Sequence, residues 1–116
     1  MTDKIVVLTT CGSAAEARKI ACRLVEEKRA ACVNILRGPV ESVYRWRGKV
    51  ASAREFLLLI KTKRKMFAGL ERAIRQLHSY DVPEILALPV SAGSKSYLQW
   101  INDSVKSSGP RRASGR

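Results

Sequence analysis

The run from Lys4 to Thr10 (KIVVLTT) is apolar and β-branched, the pattern of a buried strand. Ser13 with Glu16 three residues later makes a capping box, in which each side chain satisfies a backbone donor at a helix start. The helix predicted from there extends to about Lys28. Ala17, Ile20, Ala21, Leu24 and Val25 share one face, and Arg18, Lys19, Arg23, Glu26 and Glu27 take the other. A second helical pattern spans Met66 to Leu77, with Phe67, Leu70, Ile74 and Leu77 as its apolar stripe. Asp81-Val82-Pro83 turns the chain into a strand predicted from Glu84 to Val90. Gly93-Ser94 opens a last helix, Lys95 to about Lys106, with Leu98, Ile101 and Val105 in line.

The stretch between the first two helices has a different pattern. Cys32, Val33, Ile35, Val40, Val43, Tyr44 and Trp46 form one arm of a β-hairpin, interrupted by Gly38-Pro39. Arg47-Gly48-Lys49 is the tip, and the return arm runs from about Val50 to Lys63 through the apolar residues Phe56 to Ile60. A strand of about 14 residues is roughly 45 Å long, whereas a helix of about 15 residues is only roughly 22 Å long. The helices therefore cover about half of the hairpin, and Val43, Tyr44 and Trp46 lie on the part left over.

Strand, helix, two strands, helix, strand and a terminal helix is the βαββαβ order of the α+β, ferredoxin-like split-βαβ arrangement. Four antiparallel strands present one face to two helices, and the other face is expected to have nothing in this chain to cover it. A bare apolar face and an overhanging hairpin both predict self-association.

The chain has 116 residues, enough for one core, and residues 1–106 are read as the folded domain. The last ten residues (SSGPRRASGR) hold three arginines and no acid, and are expected to be a disordered basic tail. The formal charge of +12 predicts attraction to polyanions and solubility rather than a fold. No apolar run approaches the roughly 20 residues of a membrane span, and no signal-peptide pattern precedes the first strand, so no membrane partner and a cytoplasmic location are expected. Cys11, Cys22 and Cys32 match neither a zinc motif nor a disulfide framework and are expected as free thiols.

AACVNI, GPVESVYRWRGK and Lys61-Thr62, then HSYDVPEILALPV and YLQWI, closely resemble the divalent-cation tolerance (CutA) proteins, and the resemblance covers about Ile5 to Asn102. It implies a tight homotrimer with the ferredoxin-like, PII-like architecture. It also implies a link to copper or another divalent cation rather than an enzymatic activity. A copper site of the family uses a cysteine at the end of the first strand and a histidine pair. Carried onto this chain, the cysteine falls on Thr9 and the pair on Leu77-His78, and Ser79 stands where the family has proline. His78, the only histidine, is thus the retained candidate metal ligand, with Cys11 as a substitute thiol two residues beyond Thr9. The competing reading of His78 is a structural one, hydrogen-bonding a carbonyl at a helix end.

Tyr44, Trp46, Tyr80 and Glu84 are assigned to an inter-subunit cleft or interface, where a small anion or a partner loop would enter in a PII-like signalling trimer. Carboxylate, tyrosine and imidazole could also form an acid–base set, but no nucleophile signature, phosphate loop or H-E-x-x-H motif accompanies them. Arg45, Arg47 and Lys49 beside Trp46 could attract nucleic acid, though packing on a neighbouring subunit serves these residues better and nucleic acid is not expected as a partner. Buried packing as a small hydrophobe is the reading for Cys32.

Overall fold

β4 (Lys49–Lys63) is the strand on which the sheet is assembled in the computed structural model, which describes residues 1–106. The stretch expected to be a disordered tail, 107–116, lies outside the described residues. The other elements are β1 (Lys4–Cys11), α1 (Ala14–Glu26), β2 (Cys32–Ile35), β3 (Val40–Trp46), α2 (Phe67–Leu77), β5 (Leu86–Pro89) and α3 (Lys95–Ser104). A 3-10 turn, Arg64–Met66, leads into α2.

All pairings are antiparallel. The inner half of β4 lies between β1 (Lys4 opposite Lys63 through Cys11 opposite Phe56) and β2 (Cys32 opposite Lys61 through Ile35 opposite Leu58). The outer half pairs with β3, from Val40 opposite Glu55 to Trp46 opposite Lys49. β5 completes the sheet on the far side of β1, giving the order β2-β4-β1-β5 with β3 continuing the β2 edge. The first hairpin arm is therefore two strands. Pro39 has no N–H to give a ladder and Gly38 no side chain to pack, so the arm breaks there and resumes at Val40. Counted as one arm, β2 and β3 complete the ferredoxin-like α+β arrangement expected from the sequence.

The tip is a two-residue turn rather than three. Arg47 (φ 51°) and Gly48 (φ 78°) are both left-handed, which matches the twist of a tight hairpin and leaves Lys49 free to pair with Trp46. α1 stops at Glu26, slightly short of the expected Lys28. There Lys28 adopts φ 58° and its N–H donates to the Val25 carbonyl, closing the helix end.

Side chains alternate across a strand, so β1 and β4 each offer one row to α1 and α2. Ile5 and Val7, with Leu58 and Ile60, meet Ile20 and Leu24 of α1 and Leu70 and Ile74 of α2, all buried. Val25, expected on the core face, is exposed. The opposite row, Val6, Leu8, Leu57 and Leu59, is half-buried, and Leu86 and Leu88 of β5 are exposed.

The expectation that nothing in the chain covers this second face needs correction. α3 lies over its Cys32–Lys63 corner, where Lys63 Nζ donates to Asn102 Oδ1 at 3.1 Å. Ile101 and Val105 pack there with Ala31 and Met66, and the Lys106 N–H donates to the Lys28 carbonyl at 2.8 Å. The overhang is as expected. Val43 is 67% exposed, Val50 70% and Trp46 47%, at one end of a molecule 52 Å long and 30 by 25 Å across.

A left-handed residue with a Cβ carries a backbone penalty that glycine escapes, so Lys28→Gly is expected to stabilise the fold by about 1 kcal/mol. Urea unfolding of the variant beside the parent chain measures this directly.

Candidate functional site

Three segments converge where β1 ends. They are the last residues of β1, the stretch of β3 and β4 beyond the covered half of the hairpin, and the loop that leaves α2 at His78. α2 ends there because His78 turns to extended backbone (φ −86°, ψ 142°). Its imidazole is buried and tied at both nitrogens. Nε2 lies 2.7 Å from the Thr10 carbonyl oxygen, and Nδ1 accepts from the Tyr80 N–H at 3.1 Å. An acceptor at Nδ1 places the proton on Nε2, which donates to Thr10. Glu16, the capping-box acid of α1, accepts from the Ser79 N–H at 2.7 Å and from its hydroxyl at 3.2 Å, and stands 4.0 Å from Nδ1.

This loop positions Tyr80. Its ring leans on the His78 ring at 4.7 Å between centroids, and its hydroxyl donates to Glu55 Oε2 at 2.7 Å. Gly12 makes room, since a Cβ there would stand 3.3 Å from the Tyr80 hydroxyl oxygen. Glu55 is only 7% exposed although it is a carboxylate. Burial pushes the Tyr80 hydroxyl above its ordinary pKa, reinforced by the hydrogen bond to Glu55 and by the charge of that carboxylate. Burial also pushes the Cys11 thiol up to about 12, with smaller contributions from the charges of Glu16 and Glu55.

In front of this network is a cleft of about 670 Å³, and the four residues assigned from sequence to a cleft or interface, Tyr44, Trp46, Tyr80 and Glu84, all line it. Glu55 and Asp81 line it too, so among the described residues three carboxylates and no lysine or arginine face the space. A small anion, considered from the sequence, would meet like charge here. Glu55 is the central residue the sequence reading left out of the site. Its only signal was a lone acid at the head of the apolar run Phe56 to Ile60.

The two candidate metal ligands stand at the same end of β1, but their chemistry is already engaged. A metal on His78 would have to break the bond to Thr10 or displace the Tyr80 N–H, and one on Cys11 would have to take the proton of a buried thiol. Among the described residues no group of three or more His, Cys, Asp or Glu side chains is placed to hold a metal ion. Cys22 is exposed and Cys32 half-buried, beside Lys61 Nζ at 3.9 Å, and both are free thiols like Cys11.

Residues 5–104 match the family described as CutA1 divalent ion tolerance protein. A relative from Arabidopsis thaliana, "Protein CutA, chloroplastic", is 46% identical over 102 residues, which is 88% of this chain but 56% of that protein, so the chain spans little more than half of its length. The solved structure of the divalent cation tolerance protein from Thermus thermophilus superposes with a TM-score of 0.87 at 46% identity, covering 89% of this chain and 99% of that one. The structure of the "Periplasmic divalent cation tolerance protein CutA" from Archaeoglobus fulgidus gives 0.85 at 40% identity, covering 89% and 99%.

These names correct the cytoplasmic expectation. Proteins with this fold are called chloroplastic and periplasmic, so the folded domain does not by itself fix a compartment. Among the described residues no helix is long and apolar enough to cross a membrane.

Tyr80→Phe removes the hydroxyl donor of a buried carboxylate and is expected to cost about 1–3 kcal/mol of stability, read by denaturant unfolding. Burial pushes the Cys11 thiol from its ordinary 9.0 up to about 12, so the protonated thiol is the form the fold favours. The stability it supports is complete below pH 9 and is lost as pH climbs toward 12. A thiol reagent at pH 8 should accordingly modify Cys22 quickly and Cys11 only on unfolding.

Proposed function

The chain belongs to the CutA1 divalent ion tolerance family, and from that premise we propose that it works as a homotrimer, without catalysis, in tolerance of divalent cations, copper foremost. The observation that carries the assembly is the outer hairpin. Val43 and Val50 on one face of the outer two-stranded ribbon and Trp46 on the other are exposed, and a two-stranded ribbon with apolar surface is marginal until something packs on it. A neighbouring copy supplies that cover, with Tyr44, Trp46, Tyr80 and Glu84 at the junction.

Metal binding in this reading is weak and goes through His78, with Cys11 as helper. Any ion must compete with the two hydrogen bonds of the imidazole and the proton of the thiol, so ions are sensed at high concentration rather than held as a resident cofactor. The cleft supports a second reading, a PII-like scaffold trimer in which a partner's loop enters beside Trp46 and Tyr80.

Sedimentation equilibrium tests the assembly. The native chain should run at about three times its 12.9 kDa mass, and Val43→Asp with Trp46→Ala should drive it toward the single-chain mass. A native protein of 12.9 kDa would refute the trimer. Copper titration of the native chain and of His78→Ala tests the metal: saturable binding in a whole-number ratio per trimer, abolished in the variant, is the expected result. Equal retention by both proteins would remove His78 from the account.

A further inference from the structure

The charges of the cleft run against those of the chain. The protein has 22 lysines and arginines and 10 acids, yet this cleft is faced by Glu55, Asp81 and Glu84 and, among the described residues, by no basic side chain. Among the described residues, the salt bridges of the molecule engage other acids and leave these three out. Glu55 is the decisive one. It is more than nine-tenths buried, it faces the cleft, and the hydrogen bond it accepts there comes from the neutral Tyr80 hydroxyl. A buried carboxylate usually has a cation beside it, and here the cleft is where one would stand.

The walls narrow the choice of cation. A hard divalent ion demands several oxygens converging within about 2.0–2.6 Å, and no such cluster exists among the described residues. Tyr44, Trp46 and Tyr80 instead offer aromatic surface around the carboxylates, the combination that suits a diffuse, weakly hydrated organic cation. Trp46 already takes a guanidinium against its ring, with Arg47 Cζ 5.9 Å from the centroid. The volume of about 670 Å³ is that of a small-molecule site.

We propose that this cleft binds a free small-molecule organic cation, a guanidinium or alkylammonium compound, through Glu55 with Asp81 and Glu84 at the mouth and the three aromatic rings as walls. The site adjoins the metal candidates at His78 and Cys11 without either lining it, and its ligand differs in class from a divalent ion.

Agmatine, which carries a guanidinium and an ammonium group, is the probe, titrated calorimetrically into the native protein and into Glu55→Gln. The glutamine retains an acceptor for the Tyr80 hydroxyl, and thermal unfolding confirms that the variant is folded. Saturable binding weakened at least tenfold in Glu55→Gln, with inorganic phosphate giving no heat, is the expected result. Equal binding by both proteins, or no binding to the native one, overturns the proposal, as does displacement of agmatine by magnesium or cupric ion in Glu55-dependent competition. An arginine side chain from a second copy filling the cleft would show as an intact assembly that does not bind agmatine, and would overturn it too. Sedimentation of the same samples keeps the two readings apart: a monomer that binds agmatine refutes only the trimer, and an assembly that does not bind it refutes only the cleft ligand.

Discussion

One strand does two incompatible jobs, and much of the molecule follows from that. The inner half of β4 is buried between β1 and β2 under two helices, with Leu58 and Ile60 wholly enclosed. Its outer half continues in the same register and direction, and among the described residues its strand partner is β3 alone. A continuous strand cannot bend its outer half back onto the core without a break, so the apolar residues on the ribbon stay in solvent in a single chain. The inner half fixes the fold, and the outer half creates the need for a partner.

Glu55 sits at the junction of the two halves. It is opposite Val40, where β3 resumes after the Gly38-Pro39 break, and one residue before the pairing with β1 begins at Phe56. The loop from His78 folds over this point, and His78 holds that loop in place by bonding Thr10 with one nitrogen and Tyr80 with the other. The histidine is thereby a positioning residue for Tyr80 and Glu55, which ties the end of the helical core to the start of the ribbon. Charge follows the same division, with carboxylates gathered at the junction of an otherwise basic chain.

Much of this was legible in the residues. The apolar periods gave α1 and α2 and their buried faces, and the overhanging hairpin followed from strand and helix rise alone. The expected capping box forms by half: Ser13 Oγ accepts from the Glu16 N–H at 3.1 Å, whereas the Glu16 carboxylate accepts from Ser79 instead. Tyr44, Trp46, Tyr80 and Glu84, assigned through the family resemblance to a cleft or interface between subunits, line one cleft of the single chain. Other features were not legible, for specific reasons. The extent of β5, shortened to Leu86–Pro89, depends on how far β1 offers a partner, from Ile5 to Leu8. The seating of α3 on the second face depends on contacts from Lys63 and Lys28, distant in sequence from Asn102 and Lys106. The burial of Glu55 depends on a loop 25 residues away bringing Tyr80 to it. No local pattern encodes such long-range pairings.

The central claim is that the outer edge of the ribbon is covered in the working protein, and hydrogen exchange of β3 tests it most directly. Amides of residues 40–46 that point toward β4 should be protected in any folded state, whereas those on the free edge have no strand partner among the described residues. Protection of the free-edge amides comparable to that of their β4-facing neighbours is the result this account requires. Free-edge amides exchanging as fast as an unstructured peptide, while β1 and β4 remain protected, would show a bare ribbon and contradict it.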